Sequence, residues 1–299
     1  MKLRIATRGS DLALWQARFV SDLLSGALPG VDVELVIVTT GGDRDQTSPI
    51  SAIGGRGVFA KEVQAAVLDG RADMAVHSAK DLTSTSPDGL TIGAYPARAD
   101  VRDALVGSSL AALAAGARVA TGSVRRRSQL ALLRPDLDFV ELRGNVPSRV
   151  AKVGVDGIDA VVLAAAGLQR LGMEHHIAEY LEPLAVLPQV GQGALAVECR
   201  ADDEPVLAAL SQIDDASVRP LVEAERAWLR VLGSGCELPV GGLATWNGDL
   251  IELEVILCAD DGSQAIRFAD SGRDAETVGL AVADEVLNRR GGRSLLGRL

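Results

Sequence analysis

The stretch LRIATRGSDLALWQARFVSDLLSGAL, residues 3–28, joins a β-type run to a helix-like run through a short polar turn. The apolar run 3–7 predicts a strand, and the spacing of apolar residues over 10–28 predicts a helix. The alternation continues with a β-type run, a helical pattern and a further β-type run at 33–40, 59–69 and 74–77. This rhythm is typical of βαβ units, so we expect a largely parallel sheet.

A second series of the same kind begins near residue 117. Its later β-type runs are at 139–142 and 160–163, and its helical patterns are at 128–133 and 146–153. The C-terminal part differs, with helical patterns and alternating runs at 216–232, 250–257, 264–268 and 275–287. We therefore predict the α/β class: two lobes with parallel-rich sheets, followed by a smaller C-terminal α+β domain. In such lobes ligands are expected at strand C-termini facing a cleft.

Three strand-to-helix turns carry glycine and arginine: TRGS at 7–10, TGSVRRR at 121–127 and RGN at 143–145. The start of a helix exposes main-chain N–H groups at the positive end of the helix dipole, so these turns are suited to anions. We call these three segments the anion-type turns. Three of them suggest a polyanionic ligand. A solvated helix face is the alternative interpretation of the arginine run 125–127.

The charge distribution singles out one basic region in an acidic chain. The chain has 30 Lys and Arg against 40 Asp and Glu, a formal net charge of −10. Residues 118–149 nevertheless contain seven arginines, no lysine and three acids. The overall charge and an aromatic content of 3% argue against nucleic acid, because single-strand binding uses aromatic stacking. Small carboxylates or phosphates fit the arginines better.

The composition also limits the compartment and the metals. The N-terminus has no secretory signal pattern and no apolar stretch reaches eighteen residues, so we expect a cytoplasmic protein that does not cross a membrane. Three cysteines without CxxC spacing indicate neither a disulfide framework nor a zinc site. With three histidines, at 77, 175 and 176, we expect no metal.

Two further motifs contain candidate reactive groups. Lys80 and Asp81 follow the predicted strand 74–77 directly, where a cation and a carboxylate could anchor a substrate and stabilise charge; a surface ion pair is the alternative. Cys236 lies in GSGCELPVGG and could be a nucleophile or an attachment point; a small buried apolar residue is its alternative. His77 fits a hydrogen-bonded strand residue better than a base.

Taken together, these motifs resemble the porphobilinogen deaminase family, also called hydroxymethylbilane synthases, along essentially the whole chain. The matching runs are RIATRGSDLALWQA from Arg4, GGRGVFAKE from Gly54, RADMAVHSAKDL from Arg71, LRGNVPSR from Leu142, DAVVLAAAGLQRLG from Asp159, LPQVGQGALAVECR from Leu187 and GCELPVG from Gly235.

The resemblance implies three domains, the first two similar to periplasmic binding proteins. They are a discontinuous domain 1 at 1–97 and 195–213, domain 2 at 98–194, and domain 3 at 216–299 with the cysteine. It also implies a dipyrromethane cofactor that Cys236 holds through a thioether. The implied reaction is a transfer: four porphobilinogen units join with loss of ammonia, and water releases hydroxymethylbilane for tetrapyrrole (haem and porphyrin) biosynthesis. A monomer without nucleic-acid or membrane partners is implied as well.

The family's site residues match positions of this chain. Asp81 matches the catalytic aspartate, whose carboxylate would stabilise positive charge developing as ammonia is lost. Each pyrrole carries an acetate and a propionate, so a growing oligopyrrole needs many cationic contacts. The positions that match binding residues for cofactor or substrate are Arg8, Ser10, Arg56, Lys80, Thr121, Ser123, Arg125, Arg126, Arg143, Arg149 and Arg170.

The chain departs from the family pattern at a few positions. Arg56 and Ala52 stand where many relatives have lysine in a segment, 41–57, whose glycines and charges suggest a lid. Gly122 replaces a common serine, and Ser234 and Glu237 replace the usual Gly and Gln beside the cysteine. A cytoplasmic anion-binding or sensor module is the alternative function, since two lobes with arginines would serve it equally well. Such a module would need neither Asp81 nor Cys236.

Overall fold

The computed structural model describes residues 1–41, 60–233 and 238–297. The predicted lid (apart from Gly41), Arg56 and Cys236 lie outside these ranges. The chain divides into two compact units, the first formed by 1–99 and 194–219, the second by 100–193 and 220–299. The finer division into three domains with the boundaries given above stays a prediction.

The described strands are, in chain order, β1 Lys2–Arg8, β2 Asp32–Val38, β3 Met74–Ser78, β4 Leu90–Ala94, β5 Asp103–Val106, β6 Arg118–Ala120, β7 Asp138–Val140, β8 Ala160–Ala164, β9 Ile177–Leu181, β10 Leu195–Arg200, β11 Val240–Asn247, β12 Leu250–Cys258 and β13 Ala265–Gly272. The described α-helices are α1 Asp11–Ala27, α2 Lys61–Leu68, α3 Val124–Leu133, α4 Val146–Val150, α5 Ala165–Arg170, α6 Glu204–Leu210, α7 Arg219–Leu232, α8 Ala275–Asp284 and α9 Gly292–Leu295.

The first unit is built on a mixed sheet whose described strands have the order β2-β1-β3-β10-β4. β1 is parallel to both β2 and β3, whereas β10 runs antiparallel to β3 and β4. Helix α1 covers one face because its buried residues recur at helical spacing: Ala17, Val20 and Leu24 pack with Leu3 and Ile5 of β1. Because β1, β2 and β3 run parallel, their C-termini lie at one edge of the sheet.

The second unit contains a sheet with the same pattern and a separate antiparallel one. The strand order of the first is β7-β6-β8-β5-β9, in which β6 is parallel to β7 and β8 while β5 is antiparallel to β8 and β9. Within the described ranges β11, β12 and β13 form the antiparallel sheet. Its core includes Trp228 of α7, Leu253 of β12 and Val282 of α8.

The predicted fold class is confirmed: two parallel-rich α/β sheets and a smaller C-terminal α+β part. Two groups of details differ from the sequence prediction. Helix α3 begins at Val124, four residues before the predicted start at 128, because Ser123 caps it. Strands β4, β5, β9, β10 and β11 and the short helices α5, α6 and α9 were not predicted. Within the described residues, no helix combines the length and the apolar character needed to cross a membrane.

Candidate functional site

The first anion-type turn lies between β1 and α1 in the first unit. The Oγ of Ser10 accepts a hydrogen bond from the Ala13 N–H at 3.4 Å, which caps the helix. The Thr7 hydroxyl, fully buried, donates to the Ala13 carbonyl at 3.1 Å. These two contacts fix the turn, and they leave Arg8 half-buried at its start.

The Lys80–Asp81 motif forms a single 3-10 turn, Ala79–Asp81, directly after β3. The turn is held by hydrogen bonds from the Ala79 N–H to the Ala194 carbonyl at 3.0 Å and from the Leu82 N–H to the Ala79 carbonyl at 3.3 Å. Ala79 is buried, whereas the Asp81 side chain is exposed. A fixed main chain therefore presents an exposed carboxylate.

These two turns meet at one edge of the sheet. Because β1 and β3 are parallel neighbours, Arg8 at the end of β1 and Asp81 just after β3 both lie at the strand C-termini. A further link is the hydrogen bond from Gln16 Nε2 of α1 to Ser78 Oγ at 2.8 Å. The first unit thus brings Arg8, Ser10, Lys80 and Asp81 to the same edge.

His77 lies beneath this edge in a buried polar cluster that the sequence did not reveal. Its Nε2 is 3.4 Å from Oε2 of Glu198 on β10, and Gln64 Nε2 donates to the same oxygen at 2.8 Å. Burial would raise the pKa of the Glu198 carboxyl, but His77, Gln64 and Ser86 together lower it below its usual range. The geometry gives His77 a buried strand position next to a carboxylate.

The second anion-type turn lies between β6 and α3 in the second unit. The Thr121 N–H donates to the Val140 carbonyl at 2.9 Å, and Thr121 Oγ1 accepts from the Ser123 N–H at 3.2 Å. Ser123 Oγ in turn accepts from the Arg126 N–H at 3.4 Å. The two hydroxyls therefore organise the start of α3.

Arg125 and Arg126 in the first turn of α3 are buried around one carboxylate. Arg125 Nη2 is 2.8 Å from Oδ2 of Asp103, while Arg126 Nη2 and Nε are 2.7 and 2.9 Å from its Oδ1. Gln192 Nε2 also donates to Oδ1, at 2.9 Å. The guanidinium groups bind main-chain carbonyls as well, Arg125 that of Leu187 at 2.8 Å and Arg126 that of Val162 at 3.1 Å.

The protonation of Asp103 follows from these neighbours. Burial alone would raise the pKa of its carboxyl, but the charges of Arg125 and Arg126 and the hydrogen bonds from Arg126 and Gln192 hold that pKa well below its usual range. The solvated-face interpretation fits Arg127 alone, which is exposed, with its Nη2 3.4 Å from the Asp260 carbonyl.

The third turn precedes the short helix α4. Gly144 has φ +110°, a conformation that side-chain-bearing residues rarely adopt, and Asn145 Oδ1 accepts from the Ser148 N–H at 3.0 Å. Arg149 Nε donates to the Gly144 carbonyl at 2.7 Å, and Arg143 is half-buried. This turn follows β7, whose parallel neighbour β6 ends at the second turn.

Arg170 ends helix α5, which follows β8, the other parallel neighbour of β6. Its Nη2 donates to the Gly193 carbonyl at 2.7 Å, and burial lowers its pKa to about 10, so it remains charged at neutral pH. The second unit therefore places Thr121 and Ser123 at the C-terminal edge of its parallel strands, with Arg143 on the turn after β7.

The donors at these edges are hydroxyls, guanidiniums, an ammonium and helix-start N–H groups, and this set suits carboxylates or phosphates. Across the described ranges, no group of three or more His, Cys, Asp or Glu side chains could hold a metal ion. Cys199 and Cys258 are fully buried, and burial raises the pKa of each thiol to about 11. Neither has the properties of a reactive thiol.

Sequence reasoning missed Asp103, Gln192 and Glu198. Asp103 is separated by more than twenty residues from the arginines it binds, and Glu198 lies 134 residues from Gln64. No local pattern marks such partners. A buried arginine needs a carboxylate nearby, but the sequence did not show that Arg125 and Arg126 are buried, so it gave no signal for Asp103.

Two family models match the chain. "Porphobilinogen deaminase, dipyromethane cofactor binding domain" matches residues 3–208, and "Porphobilinogen deaminase, C-terminal domain" matches residues 220–288.

Curated relatives match over nearly the full length. Porphobilinogen deaminase of Roseiflexus sp. (strain RS-1) is 50% identical over 299 residues, which is 98% of each chain. That of Roseiflexus castenholzii is 48% identical over 98% of each chain, and that of Brevibacillus brevis is 44% identical over 97% of this chain and 96% of its own. Among solved structures, the methionine binding protein MetQ superimposes with a TM-score of 0.43 and 14% identity, covering 79% of this chain and 98% of its own.

Proposed function

The chain belongs to the porphobilinogen deaminase family, and on that premise we propose that it is a transferase that joins four porphobilinogen molecules, with loss of ammonia, into hydroxymethylbilane for tetrapyrrole biosynthesis. The observation that supports this most directly is that family models cover residues 3–208 and 220–288 and that the anion-type turns fall within the first of them.

The family's dipyrromethane cofactor fits the residues present. It carries acetate and propionate groups, and the hydroxyls, helix-start N–H groups and cations at the strand edges are suitable donors for carboxylates. When bound, the group would supply a pyrrole primer for chain growth. We assign its binding, and that of the substrate, to Arg8, Ser10, Arg56, Lys80, Thr121, Ser123, Arg125, Arg126, Arg143, Arg149 and Arg170.

These residues would act in two ways. Lys80 and Arg8 lie at the edge of the first sheet and would bind substrate carboxylates. The Lys80 ammonium would act as a compact charge, and the Arg8 guanidinium would donate two parallel hydrogen bonds. Arg125 and Arg126 are buried and donate to Asp103 and to main-chain carbonyls, so their contribution would be a fixed positive potential in addition to any direct contact. Arg143 and Arg149, which are only half-buried, are better placed for direct contact.

Asp81 is our catalytic residue. Its exposed carboxylate follows β3 on a 3-10 turn whose main chain is fixed by Ala194. A carboxylate held in advance stabilises positive charge on the substrate pyrrole as ammonia leaves, without reorganisation during the reaction. Lys80, the preceding residue, would orient the substrate through one of its carboxylates.

We further propose that Cys236 holds the cofactor through a thioether. Cys199 and Cys258 are poor candidates for that attachment because both are fully buried. The same proposal includes the three-domain division and a cytoplasmic monomer. It also includes the absence of nucleic-acid partners, because the chain is acidic and has few aromatic residues.

Denaturing mass spectrometry of the intact protein tests this proposal. We expect an excess mass equal to one covalently attached dipyrromethane, absent in Cys236→Ser and retained in the matched control Cys258→Ser. The rate of conversion of porphobilinogen to hydroxymethylbilane should rise with the fraction of protein that carries the adduct. A bare polypeptide mass that incubation with porphobilinogen leaves unchanged would refute the enzyme and favour the anion-binding module.

A further inference from the structure

Two cations stand in the first turn of α3, where the helix dipole disfavours positive charge. Ser123 is the cap, so Arg125 and Arg126 are the second and third residues of the helix. The dipole favours anions at that end and opposes cations. Burial adds the cost of desolvation, since Arg125 is 1% and Arg126 7% exposed. Such an arrangement needs a compensating carboxylate.

Asp103, at the start of β5, is that carboxylate. It is fully buried and binds Arg125 through Oδ2 and Arg126 through Oδ1, so that each oxygen fixes one guanidinium. Gln192 Nε2 donates to Oδ1 at 2.9 Å and to the Val101 carbonyl at 2.8 Å, which holds the carboxylate in orientation. Asp103 supplies one negative charge to two guanidiniums, so these three side chains together keep a net positive charge.

On the basis of the proposed function, we infer that Asp103 is a positioning residue: it fixes the guanidinium groups of Arg125 and Arg126 behind the Thr121–Ser123 turn in the geometry that receives ligand carboxylates. Asp103 touches neither substrate nor cofactor itself. A purely structural role would affect stability alone, whereas a positioning role changes carboxylate affinity in protein that is still folded.

The main test variant is Asp103→Glu, which keeps the charge but extends the side chain by one methylene and displaces both guanidiniums. Asp103→Asn, which removes the charge, is the second variant. Asp100→Asn is the matched control. Asp100 forms a 2.8 Å ion pair with Arg102, two residues later in the chain, and not with Arg125 or Arg126. Each protein is measured for thermal midpoint, adduct mass, and the KM and kcat of the loaded fraction.

For Asp103→Glu we expect a folded protein with a lower fraction of adduct and a KM for porphobilinogen raised about tenfold, as for one misplaced charge-assisted hydrogen bond. The kcat of the loaded fraction should change less than KM. Asp103→Asn should show the same loss of adduct and a lower midpoint, while Asp100→Asn should keep wild-type adduct and KM.

Wild-type KM and adduct fraction in folded Asp103→Glu would overturn the inference. A raised KM in Asp100→Asn of equal size would overturn it too, because any lost ion pair would then suffice. A wild-type protein that neither carries the adduct nor consumes porphobilinogen would instead refute the proposed function, so the two failures are distinguishable.

Discussion

The turns before α1 and α3 share a local structure but differ in where their charge lies. In both, a serine caps the helix at 3.4 Å, Ser10 for the Ala13 N–H and Ser123 for the Arg126 N–H. Arg8 of the first turn is half-buried, whereas Arg125 and Arg126 of α3 are buried against Asp103. The same turn can thus present a charge to solvent or hold it in the interior.

Burial changes the energetics of each arginine. An exposed ion pair contributes about 0–1 kcal/mol, because water and salt screen it. A buried pair gains little net stability, but removing one partner leaves an uncompensated charge and costs about 3–5 kcal/mol. The α3 turn should therefore couple anion binding to stability, and the α1 turn should not.

Arg125→Met is the strongest test of that difference. It removes the guanidinium 2.8 Å from Oδ2 of Asp103 and leaves that buried, charged oxygen without its partner, so we expect the free energy of unfolding to fall by about 3 kcal/mol. Arg8→Met, the matched variant in the first turn, should lower it by less than about 1 kcal/mol. Urea denaturation followed by circular dichroism measures both. Equal midpoints for the two variants would contradict the comparison.

Asp81→Ala separates catalysis from stability in the first unit. Removing a fixed carboxylate that stabilises developing charge should lower kcat by about 10²–10³-fold, while the protein still binds the growing oligopyrrole. Because Asp81 is exposed, the thermal unfolding midpoint of the variant should stay near that of wild type. Asp88→Ala, an exposed carboxylate later in the same connection, serves as the control. Wild-type turnover in Asp81→Ala would remove Asp81 from the mechanism.

The comparison also shows what the sequence could predict. Strands and helices with local apolar periodicity, such as β1 with α1, were predicted close to their observed bounds because their signal lies within one element. The start of α3 was missed by four residues, since a run of arginines reads as polar although Arg125 and Arg126 are buried. The Ser123 cap was visible in the sequence, and giving it more weight would have corrected the boundary.

Long-range pairing accounts for most of the rest. Strands β5 and β10 enter their sheets antiparallel to the strand beside them, and no local pattern states which neighbour a strand will have. The same holds for the site: the turns were recognisable, but the pairing of Asp103 with two arginines depends on a contact across more than twenty residues. Local chemistry was predictable, and its burial was not.

Gly122→Ser sharpens the comparison at the second turn. A Cβ at this position would lie 2.7 Å from the Leu142 carbonyl oxygen and 3.0 Å from Oε1 of Glu141. The serine common in the family should therefore destabilise this chain by about 1–3 kcal/mol, through overpacking, instead of adding a useful hydroxyl.

Thermal unfolding measures that loss. Gly26→Ser is the control, because no atom other than those of its chain neighbours and its own helix backbone lies within 4 Å of a Cβ there. It should cost less than Gly122→Ser. A Gly122→Ser protein with an unchanged midpoint and a lower KM would show instead that the turn accommodates the hydroxyl.

The smallest effect is expected where the two units do not differ, in their buried cysteines. Cys199 of the first unit and Cys258 of the second are both fully buried, with thiol pKa values of about 11. At pH 8 only about a thousandth of such a thiol is the reactive thiolate, so native protein should resist iodoacetamide in both units. In urea both should label fully, while Cys236 stays blocked by the attached cofactor. Peptide mass mapping distinguishes the three positions.

Rapid native labelling of Cys199 or Cys258 would contradict their burial, and labelling of Cys236 in unfolded, adduct-bearing protein would exclude it as the attachment point.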